Sequence, residues 1–150
     1  MSVSRGIHNQ KLDAKGRLAL PARFREALAA RDQNKLVVTG WTECLWVYSL
    51  EEWLRVEEQI DLLPSQEPEV MLFVRLFVGT ATEVELDAQG RFLISQPLRE
   101  YAGLDKEVMV VGLTKRIEVW DKERWLAQQP KTPADYAALN KSIAGFGLRL

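Results

Sequence analysis

The spacing of apolar and polar residues divides the chain into short elements that run in the same order twice. Gly6 to Leu12 reads as a strand, a turn follows at Asp13, and Arg17 to Leu20 returns as the partner strand. Phe24, Ala27 and Leu28 then fall at helical spacing. This predicts a helix from Pro21 to about Ala30 with Arg23 on its wet side. Lys35 to Thr39 and Leu45 to Tyr48 are strands by their β-branched content, joined by a turn over Gly40 to Cys44. Ser49-Leu-Glu-Glu52 has the form of a capping box and opens an amphipathic helix through about Asp61.

The second half repeats this order. Thr80 to Leu86 and Arg91 to Ile94 are the next hairpin. Pro97 to Ala102 is a short helix stopped by Gly103. Val108 to Gly112 and Ile117 to Trp120 are the later strands, and Asp121 stands where Ser49 capped the first helix. Asp13, Gly16, Arg17 and Arg25 recur as Asp87, Gly90, Arg91 and Arg99, each 74 residues on, whereas Gly40 and Trp53 recur as Gly112 and Trp125 after 72. Both Trp residues are read as core pegs rather than platforms for bases. The copies span 6–54 and 80–126, joined by a helical connector over 55–79 and followed by a tail over 127–150.

In the connector, Pro64 to Pro68 is a loop and Glu69 to Val78 a helix. That helix is apolar nearly all round and so is expected to be buried on most sides, either between the copies or at a subunit interface. Arg75 is then a buried or rim cation. In the tail, Thr132 to Asp135 caps a helix running to about Ser142, ended by Gly145 and Gly147, and a helix so short needs a docking surface.

The repeated unit also carries the chemistry. Asp13 can bond backbone N–H groups beyond it and Gly16 supplies a positive φ, so Lys15 and Arg17 sit at or beside a turn tip. A cationic tip next to a helix start suits phosphate oxygens. Arg25 has a plainer alternative, pairing with Asp13 or capping a carbonyl. The chain as a whole has a net charge of −1, so the distribution matters more than the sum. Residues 1–35 carry eight Lys/Arg against three Asp/Glu, and residues 36–79 carry two against eight. Cation is therefore concentrated around the first tip.

Other chemistry finds little support. His8 is the sole histidine and has no counterpart in the second copy, and the single Cys44 offers neither a zinc set nor a disulfide. No phosphate-binding or dinucleotide fingerprint occurs. No enzyme, cofactor, metal or small-molecule substrate is expected. The longest apolar run, Val70 to Val78, contains Arg75 and is too short to span a bilayer, so a cytoplasmic protein is expected.

The doubled Asp-x-Lys/Gln-Gly-Arg pattern, with an Arg eight residues later, β-branched strands and a Ser- or Asp-capped Trp helix, resembles MraZ, a bacterial family of two tandem SpoVT-AbrB domains. The resemblance covers about Gly6 to Trp125. It implies an α+β fold, a pseudo-two-fold swapped-hairpin (double-split) β-barrel of the AbrB type with flanking helices. It also implies a nucleoid-associated, sequence-specific DNA-binding regulator of transcription at cell-division and cell-wall genes, assembled as a ring-like homo-oligomer on repeated boxes in double-stranded DNA. On that resemblance the DNA-reading loop falls on Lys15, Gly16 and Arg17, with Arg23 and Arg25 on the helix behind and Arg91 and Arg99 in the second copy. The second copy departs from the pattern in having Gln89 for the Lys and Ser95 in the place of Pro21. An alternative reading is an interaction module of antitoxin type acting through the tail.

Overall fold

The computed structural model describes residues 5–29 and 34–150. The first copy runs β1 (Gly6–Lys11), β2 (Arg17–Ala19), α1 (Ala22–Ala29), β3 (Lys35–Trp41), β4 (Cys44–Ser49) and α2 (Leu50–Asp61). After α3 (Pro68–Phe77) comes the second copy: β5 (Thr82–Glu85), β6 (Arg91–Leu93), α4 (Gln96–Ala102), β7 (Glu107–Gly112), β8 (Ile117–Asp121) and α5 (Lys122–Ala127). Helix α6 (Pro133–Ala144) occupies the tail. The class is α+β, and the expected end of the first helix at Ala30 lies outside the described residues.

Strand pairing departs from the hairpins expected on local grounds. Asp13 N–H donates to Arg17 O at 3.0 Å, and Asp87 N–H to Arg91 O at 2.8 Å, so each hairpin closes for one rung. Its strands then part. β1 pairs antiparallel with β7, and β2 with β6, in each case across the copies. The result is an antiparallel sheet in the order β1-β7-β8-β4-β3-β5 and a separate β2–β6 ribbon. The order reads the same under exchange of the copies. Lys11 faces Glu107 as Glu85 faces Lys35, the same register once the offsets are applied. The exchange axis passes between Leu18 and Phe92 in the ribbon and between Trp46 and Glu118 in the sheet.

Burial explains why the strands part. Leu18 and Phe92, opposite each other on the ribbon, are both essentially inaccessible. They close one core with Phe24, Leu36 and Leu45 of the first copy and Ile94, Val108 and Val119 of the second. Continuing as local hairpins would take these side chains from the shared interior, where burying each contributes about 1.5–3 kcal/mol. At the sheet axis Arg116 stacks over the Trp46 ring, 3.6 Å from its centroid, and bonds Glu118 at 2.9 Å. Trp46 and Glu118, bridged by Arg116, thus fill the axial position that strict symmetry would give to two like residues.

The outer layer differs between halves. In the first, Ser49 Oγ accepts the Glu52 N–H at 3.1 Å and starts α2, while the Glu52 carboxylate turns to Arg55 instead of closing a capping box. α2 and α3 cover the sheet through Trp53, Phe73 and Phe77, with Trp53 stacked on Phe77 at 5.4 Å. In the second, Asp121 Oδ2 accepts the Arg124 N–H, but α5 lasts six residues and Trp125 meets Trp120 edge-on at 5.8 Å.

Of the two covers expected for helix α3, packing between the copies is not what the chain shows, since α3 lies on the sheet face of the first copy. Phe77 is buried, but Met71, Leu72, Arg75 and Leu76 are exposed, so the helix is covered on one side only. A helix laid on a single sheet face has its far side left over, however apolar the sequence there.

Candidate nucleic-acid interface

Each loop is built by its own carboxylate. Asp13 Oδ1 accepts the Lys15 N–H at 2.9 Å and the Arg17 N–H at 2.8 Å, while Oδ2 accepts from Arg17 Nε at 2.9 Å. The second loop matches: Asp87 Oδ1 accepts from the N–H groups of Gln89 and Arg91, both at 2.9 Å, and Oδ2 from Arg91 Nε at 3.0 Å. Gly16 and Gly90 take φ of 85° and 74°, the left-handed turn that closes each loop. The Arg17 and Arg91 backbone N–H groups, and then their side chains, hold both carboxyls below the ordinary carboxylate range. Depressed native values stabilise the fold in full above that range, and the contribution is lost as pH falls through them.

The loops are also laced together. Gly16 O accepts the Ile94 N–H at 2.9 Å, and Gly90 O accepts the Leu20 N–H at 3.0 Å. From the helices behind, Arg99 Nη1 donates to Lys15 O at 3.3 Å and Arg25 Nη1 to Gln89 O at 3.2 Å. Each helix arginine thus reaches over and holds the other copy's loop. A Cβ on Gly16 would collide with the Arg99 guanidinium, and one on Gly90 with that of Arg25. Carbonyl capping is the alternative the sequence offers for Arg25, and the structure realises it, but nothing local shows that each cap crosses to the other copy. Their one trace is that Arg25 and Arg99 recur at the same offset as the loops they bind.

The candidate residues therefore divide by position. Lys15 and Arg23 are exposed, Arg17 and Arg91 are half-buried, and Arg25 and Arg99 are half-buried with one nitrogen spent on the opposite loop. Gly16 is buried and supplies backbone shape. On the ribbon, Leu18 and Phe92 point to the core and the alternate residues Arg17, Ala19, Arg91 and Leu93 face away from it. Both arginines meet their aspartates through Nε, so Arg17 keeps its two terminal nitrogens for an outside acceptor, whereas Arg91 also turns Nη2 to Gln89 Oε1 at 3.4 Å. Leu93, half exposed beside them, is a member of this face that charge-based reading passes over.

Elsewhere the reactive side chains are occupied in packing. Burial pushes the Cys44 thiol up to about 12, and His8 packs edge-on against Phe24 at 5.2 Å. Among the described residues no group of three or more His, Cys, Asp or Glu is placed to hold a metal ion, and no helix is long and apolar enough to cross a membrane.

Two copies of one unit, with a pair of Asp-built turn loops locked side by side across an internal axis, define a tandem-repeat α+β protein. Comparison with known proteins places it further. The profile of the family described as "MraZ protein, putative antitoxin-like" matches residues 4–76 and again 77–142. The chain is 48% identical over 144 residues to the transcriptional regulator MraZ of Acetivibrio thermocellus, covering 95% of this chain and 98% of the relative. It is 42% identical over 152 residues to the protein of the same name from Hydrogenovibrio crunogenus, covering 99% and 100%. The chain belongs to the MraZ family.

Proposed function

We propose that this chain is a DNA-binding regulator of transcription that grips double-stranded DNA with the outward face of its β2–β6 ribbon. The observation that carries this reading is the lacing of the two loops, which presents Lys15, Arg17 and Arg91 together on a preorganised surface. Lys15 and Arg23 contact phosphates, and Arg17, whose planar fork can bond guanine at two points, reads a base edge. Arg91 repeats Arg17 with one cation fewer at the tip, while Arg25, Arg99 and Gly16 fix the loops. The interlocked copies, 6–54 and 80–126, form the pseudo-two-fold swapped-hairpin barrel of the AbrB type.

One such face on an overall acidic chain binds weakly. A ring-like homo-oligomer engaging repeated boxes gains on the order of 10² to 10⁴ in avidity. Cell-division and cell-wall genes, in the cytoplasm at the nucleoid, are its proposed targets. Arg17→Ala is expected to weaken a gel shift on a selected fragment by about 5- to 150-fold, the worth of one bidentate base contact, with an unchanged circular dichroism spectrum. Undiminished binding by that variant refutes the role.

The tail supports a second reading. Every residue of α6 except Ile143 is exposed, as an interaction module of antitoxin type would require. Loss of a stoichiometric foreign partner on deletion of residues 130–150 would favour it.

A further inference from the structure

The outward face of the β2–β6 ribbon differs at its two ends. Arg17 lies directly across from Leu93, and Ala19 across from Arg91. Gly16 O accepts the Ile94 N–H and Gly90 O accepts the Leu20 N–H, so both pairs fall at rungs that carry no hydrogen bond of their own. Side chains approach most closely at such rungs, where Cα atoms are about 4.5 Å apart. Each end therefore sets one arginine beside one apolar side chain.

Those apolar side chains are unlike. Exchange of the copies relates Leu93 to Ala19 at the 74-residue offset. Leu93 is 54% exposed, although Phe92 and Ile94 on either side of it are anchored in the core. An exposed leucine is ordinary by itself. This one is fixed by both neighbours at the middle of a cationic face. Two further differences fall at the same end. The Arg17 end carries Lys15 at its loop tip, whereas the Arg91 end carries Gln89, whose Oε1 accepts from Arg91 Nη2 at 3.4 Å. Tip cation, open guanidinium and bulky apolar group are thus collected at one end.

The major groove of DNA offers partners for each. Guanine presents two acceptors to an arginine fork, thymine presents a methyl group, and the groove is wide enough to admit a two-stranded ribbon. Successive bases along a strand lie about 3.4 Å apart. Cβ atoms of a cross-strand pair lie about 4.5–5.5 Å apart, so a ribbon that sets Arg17 on one base sets its partner over the next. The geometry points to Leu93 as a second base reader, its δ-methyl groups covering the 5-methyl group of a thymine beside the guanine that Arg17 bonds. Ala19 is too short to make this contact at the other end, so the ribbon reads more of the sequence at its Arg17 end. The inference rests on the DNA binding proposed above and adds an apolar specificity contact to it.

Replacing thymine by deoxyuridine removes that methyl group and leaves every pairing group in place. On a fragment recovered by binding-site selection and substituted one thymine at a time, wild type is expected to lose about fourfold in affinity at one thymine, the worth of one buried methyl-sized group. Leu93→Ala should bind the parent fragment about fourfold more weakly and lose nothing further on that substitution. Leu93→Met, which keeps the apolar reach, should keep the sensitivity. The position is exposed, so unchanged circular dichroism is expected of both variants. A merely structural role for Leu93 would weaken parent and substituted fragments equally, leaving the ratio between them unmoved. Wild type indifferent to every substitution, or a sensitivity that survives Leu93→Ala, overturns the inference. Failure of the DNA reading itself would look different: wild type would shift no fragment, or Arg17→Ala would bind undiminished.

Discussion

The turn loops of the two copies agree in their aspartate bonds and crossed arginine clamps, while the helices stacked outside those copies do not agree. Asp13 and Asp87 each make the same three hydrogen bonds to their own loop, and each loop is held by the other copy's arginine. Yet one tip carries Lys15 and the other Gln89. Loop shape is set by Asp, Gly and the two Arg, and the tip side chain is free to vary without disturbing it. The outer layer follows another rule. α2 and α3 bury Trp53 under Phe77, whereas α5, half the length of α2, leaves Trp125 half-covered. Helices that depend on packing diverge when their partner is lost, but loops that carry their own hydrogen-bond partners do not.

The outer layer should show the largest contrast between copies. Trp53→Ala is expected to cost about 3–5 kcal/mol, the usual range for an aromatic removed from a core, and Trp125→Ala less than half of that. Urea denaturation of the two variants measures it, and equal losses would erase the distinction.

The loops should respond alike. Gly16→Ala and Gly90→Ala each force a side chain into the left-handed region at about 1–2 kcal/mol and also displace an arginine clamp. Their melting temperatures should fall by about 2–4 °C for each kcal/mol lost, and together. A marked difference would show that one loop is not held as the other is.

Smallest of all, Gln89→Lys changes a tip and no structural bond apart from the 3.4 Å contact with Arg91. Stability should stay the same, and the salt dependence of DNA binding should steepen by about 0.9 in log–log slope, one phosphate gained per loop engaged. An unchanged slope would mean that the second loop stays off the DNA.

Much of this was legible in the sequence because it is local. The Asp–Gly–Arg turn, the Ser49 and Asp121 caps and the stop at Gly103 each rest on side chains a few residues apart. Strand partnership was not legible. A run such as Gly6 to Lys11 carries no mark of whether it will pair across its own turn or with β7, since that choice rewards Leu18 and Phe92 far away. Which of its two expected covers α3 would take was hidden for a related reason. Hydrophobic composition says that a surface seeks cover, and whether the cover comes from the same chain is a property of the assembly. The crossed Arg25 and Arg99 clamps needed both the repeat and the strand exchange before they had meaning.

A structure of the protein bound to a selected DNA fragment bears most directly on the central claim, through the distance from the Arg17 guanidinium to the nearest nucleic-acid acceptor. The account predicts a duplex lying along the β2–β6 ribbon with that distance in hydrogen-bond range, about 2.7–3.2 Å. DNA seated on another face, with Lys15 and Arg17 sealed in a protein contact, would contradict it.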